Sequence, residues 1–271
     1  MRIFKVVFDF YINSSIHVAL AVFGFVGVTV LEFDLLISNS LLGFIFFGTI
    51  TGYNFVKYAE VARLRHRSLN LSLRTIQIFS FFCFLALIYF TFQLPFKTLL
   101  VTSGFAALTF FYAIPFLKSK NLRTLIGIKI VIVAVVWAGV TVIIPIFNEN
   151  ELLTKDIWIS FLQRVLFVIA LTLPFEIRDL QYDELALGTL PQRVGVKLTR
   201  IIGAIILMIT FLLEFFKIGN NWDYFLSMGI ISIVLLVFLI VSNKKQSKYF
   251  ASFWVESIPI LWFAMMLLLL N

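Results

Sequence analysis

Charged residues are scarce in this sequence. Asp, Glu, Lys and Arg make up only 13% of its 271 residues, while 61% are hydrophobic and the mean hydropathy is +1.04. A soluble domain carries about a quarter charged residues, so this chain has little to present to water and must bury itself in lipid. Its single cysteine, Cys83, excludes an intramolecular disulfide and lacks the partners of a cysteine metal site.

Long apolar segments take the place of the missing charge. A membrane-spanning helix needs about 20 mostly apolar residues, and only helices satisfy their own backbone polar groups inside a bilayer. The sequence therefore predicts a single all-α transmembrane domain over residues 1–271, with nine spans near 10–31, 35–56, 75–95, 98–117, 125–147, 157–177, 200–218, 224–242 and 250–270.

Positive charge is distributed unevenly between the connections. With nine crossings, most of the 22 Lys and Arg residues fall on the N-terminal side. The positive-inside rule then places the N-terminus in the cytoplasm, and we expect a bacterial cytoplasmic (inner) membrane. This rule and anionic lipid also account for the net charge of +8, so no nucleic-acid partner is expected.

The connection after the sixth segment contains three spaced carboxylates. Glu176, Asp179 and Asp183 stand at i, i+3 and i+7, which places them on one face of a helix. Like charges so placed repel one another unless a cation bridges them, and hard oxygen ligands with room for water and phosphate suit Mg²⁺. Arg178 and Arg193 could bind a diphosphate directly. The alternative is a solvated helix end whose mixed charges keep the loop in water.

These residues also carry a family resemblance. The run 178–183 (Arg-Asp-Leu-Gln-Tyr-Asp), followed by Gly-Thr-Leu at 188–190 and Arg-Val-Gly at 193–195, resembles the second aspartate-rich motif of the UbiA superfamily of membrane prenyltransferases. Tyr-Ala-Ile-Pro at 112–115, with Lys118, resembles the tyrosine–lysine motif that follows that family's fourth helix. Nine helices with both acidic loops on the cytoplasmic side are the family's plan, and the resemblance covers nearly the whole chain.

The resemblance implies a function and a set of site residues. Such enzymes bind a prenyl diphosphate through Mg²⁺, ionise its allylic carbon–oxygen bond and join the carbocation to a hydrophobic acceptor. By this resemblance Asp179 and Asp183 are the catalytic metal ligands, and Glu176 is a further metal ligand. The expected partners are a prenyl diphosphate or another isoprenoid lipid within the membrane, and a protein partner is possible. The expected substrate-binding residues are Asn54, Lys57, Tyr112, Lys118, Arg178 and Arg193.

The first aspartate-rich motif of the family is degenerate here. When its leading asparagine is aligned with Asn54, its three acidic positions fall on Phe55, Tyr58 and Ala62, and Lys57 adds positive charge. Either basic side chains replace one metal ion against the diphosphate, or the protein binds an isoprenoid or partner membrane proteins without turning a substrate over. A terpene cyclase on the same fold is a third hypothesis.

Several polar residues interrupt the apolar segments, where burial is costly and function is the usual first hypothesis. Two of them, Arg164 and Glu214, are expected to reach solvent at the outer membrane face and to be structural. The others are expected either to line one internal space or to form interhelical bonds, Lys129 with Glu256 for instance. They are Asn13, His17, Asn54, Lys129 and Glu256.

Overall fold

The computed structural model describes residues 2–63, 71–113, 128–181, 188–219 and 221–270, and these residues form helices with no β-strand among them. Eleven α-helices follow one another in this described part: α1 Arg2–Asn13, α2 Ile16–Phe33, α3 Asn39–Arg63, α4 Leu71–Thr91, α5 Phe96–Ala113, α6 Ile128–Ala138, α7 Ile144–Asn148, α8 Lys155–Asp179, α9 Leu190–Leu212, α10 Trp222–Val241 and α11 Ile258–Leu269. A π-helical turn, Gly139–Ile143, joins α6 to α7, and a second, Phe250–Val255, precedes α11.

Eight helical segments in the described part are long and apolar enough to cross a membrane. They correspond to eight of the nine segments expected from the sequence. The remaining expected segment, 35–56, lies mostly within α3, whose 25 residues include more polar positions. The all-α class is therefore confirmed, while the count of nine crossings stays a prediction.

The first expected segment, 10–31, is interrupted. Helix α1 ends at Asn13, and α2 begins at Ile16 after Ser15, which adopts a left-handed backbone conformation (φ 64°). No glycine or proline marks this break in the sequence. The turn places the Ser14 carbonyl and the Ser15 hydroxyl inside the bundle, where both are fully buried.

Contacts between helices run round a closed circuit in the order α2, α3, α5, α6, α8, α9, α10, α11 and back to α2. Helices α2 and α11 can approach closely because Gly24 has no side chain. A Cβ at this position would lie 2.7 Å from the Pro259 carbonyl oxygen. The rings of Phe25, Phe167 and Trp262 meet in the middle of this core, with centroids 5.1 to 6.0 Å apart. The middle of the bundle is thus filled with apolar side chains.

The charged residues near the core differ from expectation. Arg164 was expected to reach solvent, but it is 1% exposed and donates to the Phe25 carbonyl oxygen at 2.8 Å. Glu214 was expected to be solvated, yet it is buried and pairs with Lys217 at 2.7 Å. Lys217 also pairs with Glu32 at 2.6 Å. These charges find partners across the bundle, so they need no water.

Candidate functional site

The candidate site lies at the end of the bundle where α3 and α8 finish, which we call the site end. There the turn before α2 meets the second half of α3. Asn54 accepts a hydrogen bond from the Ser15 hydroxyl (2.8 Å) and donates to the Ser14 carbonyl oxygen (3.0 Å). Its amide also donates to Ser80 on α4 (2.7 Å). Asn54 is therefore a buried junction of three helices, and its polar atoms hold the site together.

Lys57 extends from this junction. Its ammonium donates to the Ser15 hydroxyl at 2.9 Å, while the residue as a whole stays exposed. This neutral contact orients the side chain, and no carboxylate of the described residues lies within 4 Å of the ammonium. Lys57 is thus a fixed cation at the site end. Ser15 and Ser80 were missed from the sequence, although the adjacent serines at 14 and 15 inside an apolar segment were a usable signal.

Two of the three positions that are acidic in the resembling family carry aromatic rings with structural contacts. The Phe55 ring is stacked on Phe110 of α5, with centroids 6.5 Å apart. Tyr58 donates its hydroxyl proton to the Asn13 carbonyl oxygen at 3.2 Å. The aromatic pair gives this side of the site an apolar surface where the family has metal ligands.

The described carboxylates at the end of α8 are each paired with a cation. Glu176 is buried and accepts from Lys129 of α6 at 2.9 Å. The suggested pairing of Lys129 with Glu256 is therefore wrong, since Lys129 pairs with Glu176. Asp179 accepts from the Arg178 Nε at 2.7 Å, and both side chains keep about a quarter of their surface exposed (28% and 26%). Asp183 and Lys118 lie outside the described residues.

Arg193 lies on the far side of the same connection. Helix α9 begins at Leu190 behind a capping box, in which the Gln192 side chain accepts from the Thr189 N–H at 2.9 Å. Gly195 then interrupts the helix with a φ of +77°, a conformation that favours glycine. The kink places Arg193 in a short, separately oriented first turn, where it is exposed.

Two tyrosines and a glutamate line the interior between these charges. The Trp137 indole donates to the Tyr53 hydroxyl at 2.6 Å, which fixes Tyr53 between α3 and α6. Tyr112 of α5 and Glu256 both act electrostatically on Tyr53, and Glu256 is also acted on by Lys57 and Arg178. Tyr112, predicted from the sequence, is thus brought to the same interior as Lys57 and Arg178. Tyr53 and Trp137 were not predicted.

Two other polar residues expected in the interior, His17 and Asn13, make structural contacts. His17 is buried, and its ring nitrogens contact the Tyr11 hydroxyl (2.7 Å) and the Phe253 carbonyl oxygen (3.0 Å). A ring nitrogen bound to a carbonyl must carry a proton, so the other nitrogen accepts from Tyr11. His17 therefore links α1, α2 and the turn before α11. Asn13 contributes its carbonyl to Tyr58, while its side chain is exposed.

The ligand set at the end of α8 suits a magnesium ion. Glu176 and Asp179 are hard oxygen donors one helical turn apart, and Mg²⁺ is commonly held by one or two carboxylates together with waters and phosphate oxygens. Within the described ranges, no group of three or more His, Cys, Asp or Glu residues could hold a metal by itself. On α3, the residues whose side chains are described contribute Lys57 to the site end and no carboxylate. The residues present therefore fit one ion, at α8.

Comparisons with known proteins identify the fold. No family model and no curated protein matches the chain. An apo UbiA homologue from Aeropyrum pernix K1 matches with a TM-score of 0.64 and 14% identity, over 94% of this chain and 98% of that one. A UbiA homologue from Archaeoglobus fulgidus bound to GPP and Mg²⁺ matches with a TM-score of 0.56 and 14% identity, over 96% and 98%. A digeranylgeranylglyceryl phosphate synthase matches with a TM-score of 0.56 and 17% identity, over 97% and 96%.

These matches extend over nearly the full length of each chain at low sequence identity. They establish the architecture, and they confirm at the level of the fold the resemblance that the motifs indicated. Together with the eight apolar helices, they establish that the chain is an integral membrane protein with the fold of the UbiA superfamily.

Proposed function

We propose that this protein is a membrane prenyltransferase of the UbiA type, which transfers an isoprenoid chain from a prenyl diphosphate to a hydrophobic acceptor. The observation that carries the proposal is a set of charged side chains from two helices at the site end. Glu176, Arg178 and Asp179 lie at the end of α8, Lys57 lies on α3, and Lys57 and Arg178 both act electrostatically on Glu256. Anionic ligands for a metal and fixed cations for a diphosphate are what this chemistry needs.

Each group has a separate task in the proposed reaction. Arg178 and Lys57 hold the diphosphate and stabilise the charge that develops on it as the allylic carbon–oxygen bond breaks and its electron pair leaves with the diphosphate. A Mg²⁺ ion held by Glu176 and Asp179, with Asp183 as a proposed third ligand, would supply further positive charge to the leaving group. The stacked Phe55 and Phe110 rings give the adjoining surface an apolar character.

Other candidate residues have supporting tasks in this proposal. Tyr112 lines the interior beside Tyr53, and Arg193 and Lys118 are proposed as further diphosphate contacts. Asn54 acts through others because its amide holds the Ser15 hydroxyl, and this hydroxyl orients Lys57. We therefore assign Asn54 as a positioning residue.

We also propose nine crossings, with the N-terminus in the cytoplasm of a bacterial cell. Helix α3 has 25 residues, or about 37 Å at 1.5 Å per residue, which exceeds a hydrocarbon core of about 30 Å. It packs against α2 and α4, both of which are apolar enough to span. This supports α3 as the ninth crossing. The site end then faces the cytoplasm.

The test is diphosphate release from radiolabelled GPP and a series of longer prenyl diphosphates by the purified protein in lipid nanodiscs, with and without Mg²⁺. We expect Mg²⁺-dependent release, and a fall of about 100- to 1,000-fold in Asp179→Asn, since a ligand that stabilises the leaving charge is lost. Glu151→Gln is the matched control because Glu151 is exposed in the connection between α7 and α8. Prenyl diphosphate binding without release at any Mg²⁺ concentration would instead identify a non-catalytic isoprenoid-binding protein.

A further inference from the structure

A pocket of about 190 Å³ lies at the end of the bundle opposite the site end, and the proposed prenyl transfer uses none of its residues. It is bounded by the end of α2, the start of α8 and the residues between α9 and α10, which contribute Glu32, Asp156 and Lys217 respectively. An apolar cavity of about 150 Å³ holds a benzene molecule, so this pocket has room for a small organic group.

The two carboxylate oxygens of Glu32 differ in their bonding. Oε1 accepts from the Lys217 ammonium at 2.6 Å and from the Ser160 hydroxyl. Oε2 is buried and has no hydrogen-bond partner among the described residues. The Glu32 side chain lines the pocket and is only 4% exposed. Because buried polar atoms are nearly always hydrogen-bonded, the unbonded oxygen indicates that a donor from a ligand belongs in the pocket.

The donors that surround Glu32 in the described chain are bonded elsewhere. The Lys217 ammonium also donates to Glu214 at 2.7 Å and lies 4.1 Å from the centroid of the Tyr224 ring. An ammonium has three donors, and these contacts together with Glu32 Oε1 account for them. The Asn221 amide donates to the Glu32 backbone carbonyl at 3.4 Å. The second oxygen of Glu32 is therefore left for a ligand.

The charge of the pocket selects a cation. Three carboxylates line it, those of Glu32, Asp156 and Glu214, against the single ammonium of Lys217. Asp156 already accepts from the Gly219 N–H at 3.0 Å, so it adds negative charge rather than an unbonded oxygen. No group of three or more His, Cys, Asp or Glu among the described residues could hold a metal ion. Lys217 shows instead that these carboxylates bind an ammonium, and this favours a second ammonium as the ligand.

The surroundings of the pocket place it where lipid meets water. Large apolar side chains that are 62–80% exposed alternate in sequence with its polar lining residues, and such side chains face lipid in a membrane protein. Head groups lie at this depth, so an ammonium carried by a lipid could reach the pocket as readily as one from solution. These exposed residues are Phe215, Phe216, Ile218 and Trp222.

We propose that this pocket binds a primary ammonium group, carried either by the head group of phosphatidylethanolamine or by a small free amine. The ammonium donates to Glu32 Oε2 and is attracted by the Glu214 carboxylate beside it. The inference does not depend on the proposed prenyl transfer, because the pocket lies at the other end of the bundle.

Calorimetric titration of the full chain in phosphatidylcholine nanodiscs tests the assignment. The probes are ethanolamine and choline, which differ only by three methyl groups on the nitrogen, so choline has no N–H to donate. The wild type should bind ethanolamine at least about tenfold more tightly than choline, the effect of one hydrogen bond to a charged group. Glu32→Gln should reduce this preference to less than about threefold, because its amide presents a donor where the ammonium needs an acceptor.

Two further variants separate ligand binding from folding and from general charge. Gly219→Leu adds a side chain at the wall of the pocket and leaves Glu32 and Lys217 unchanged, so it should also weaken ethanolamine binding. Asp34→Asn is the matched control, since Asp34 is an exposed carboxylate just after α2 that does not line the pocket. This control should keep the preference of the wild type.

The source of the ammonium is tested by adding phosphatidylethanolamine to the nanodiscs. If the lipid is the ligand, its head group should block the binding of free ethanolamine, whereas a site for a free amine should bind ethanolamine unchanged. Equal binding of ethanolamine and choline by the wild type would overturn the inference. A preference that persists in both Glu32→Gln and Gly219→Leu would overturn it too, as would tighter binding of K⁺ or Mg²⁺ that Glu32→Gln abolishes.

Discussion

Replacing Lys217 by methionine should strongly destabilise the protein. Lys217 is the only cation within 4.0 Å of Glu32 and Glu214 in the described chain, at 2.6 and 2.7 Å, and all three side chains are at most 7% exposed. Its ammonium also lies 4.1 Å from the centroid of the Tyr224 ring. Methionine keeps the length of the side chain and removes its charge, so the variant leaves two carboxylates buried and uncompensated.

The expected cost follows from this geometry. Removing one partner of a buried ion pair destabilises a protein by about 3–5 kcal/mol, because the remaining charge is left without compensation. One oxygen of Glu32 already lacks a hydrogen-bond partner, so the cluster has no spare donor to replace the ammonium. The pocket of about 190 Å³ lies beside Glu32 and Glu214. Water in this pocket can solvate the two carboxylates, which keeps the loss of stability within this range. Each kcal/mol of lost stability lowers the thermal unfolding midpoint by about 2–4 °C, so the midpoint of Lys217→Met should fall by roughly 6–20 °C.

The single cysteine provides the assay. Cys83 is 2% exposed in the folded protein, so a thiol-reactive fluorogenic dye reports unfolding in detergent. Lys155→Met is the matched control, since Lys155 is exposed at the start of α8, and it should change stability by at most about 0.5 kcal/mol. Adding Glu32→Gln to Lys217→Met should recover part of the loss. A Lys217→Met midpoint equal to that of Lys155→Met would refute the claim that this cluster stabilises the bundle.

Two other predictions concern sidedness and the docking of α1. In a Cys83→Ala background, a membrane-impermeant maleimide should label Lys155→Cys from outside intact cells but not Lys245→Cys, and the reverse pattern would contradict the proposed orientation. The hydrogen bond from Lys248 lowers the pKa of Asp9 below its usual 3.8. The ionised Asp9 carboxylate therefore stabilises the packing of α1 against the rest of the bundle above pH 3.8, and this stabilisation is lost as the pH falls below that value. Hydrogen exchange of α1, corrected for intrinsic rates, should rise below pH 3.8 in the wild type and not in Asp9→Asn; equal profiles would contradict this.

Hydropathy predicted the helices well because the bilayer imposes a length and a composition on each span. The expected segment 157–177, for example, lies within α8, Lys155–Asp179. The break at Ser15 was missed because its left-handed conformation depends on tertiary bonds to Asn54 and Lys57, about 40 residues away. The adjacent serines 14 and 15 show that the apolar segment is interrupted, but the local sequence does not identify partners at that distance.

The partners of interior charges were the least predictable feature. Lys129 and Glu176 pair between α6 and α8, and the guanidinium of Arg164 reaches a carbonyl 139 residues away in sequence. Residue spacing fixes which side chains share a helix face, but it does not fix which helix lies opposite. The motif resemblance assigned Tyr112, Lys57 and the α8 carboxylates to one site without using residue spacing, and that assignment stays a prediction.

The surroundings of Lys57 differ from those of the cations at the opposite end of the bundle. At the end opposite the site, Lys217 lies within 2.7 Å of two carboxylates, and Arg164 is bonded to a backbone carbonyl and covered by the Phe25 ring. Charges so paired stabilise the fold. At the site end, the Lys57 ammonium donates to the Ser15 hydroxyl and meets no carboxylate within 4.0 Å in the described chain. An ammonium held in this way keeps its charge available to an anionic ligand, and this is why we propose that Lys57 binds the diphosphate.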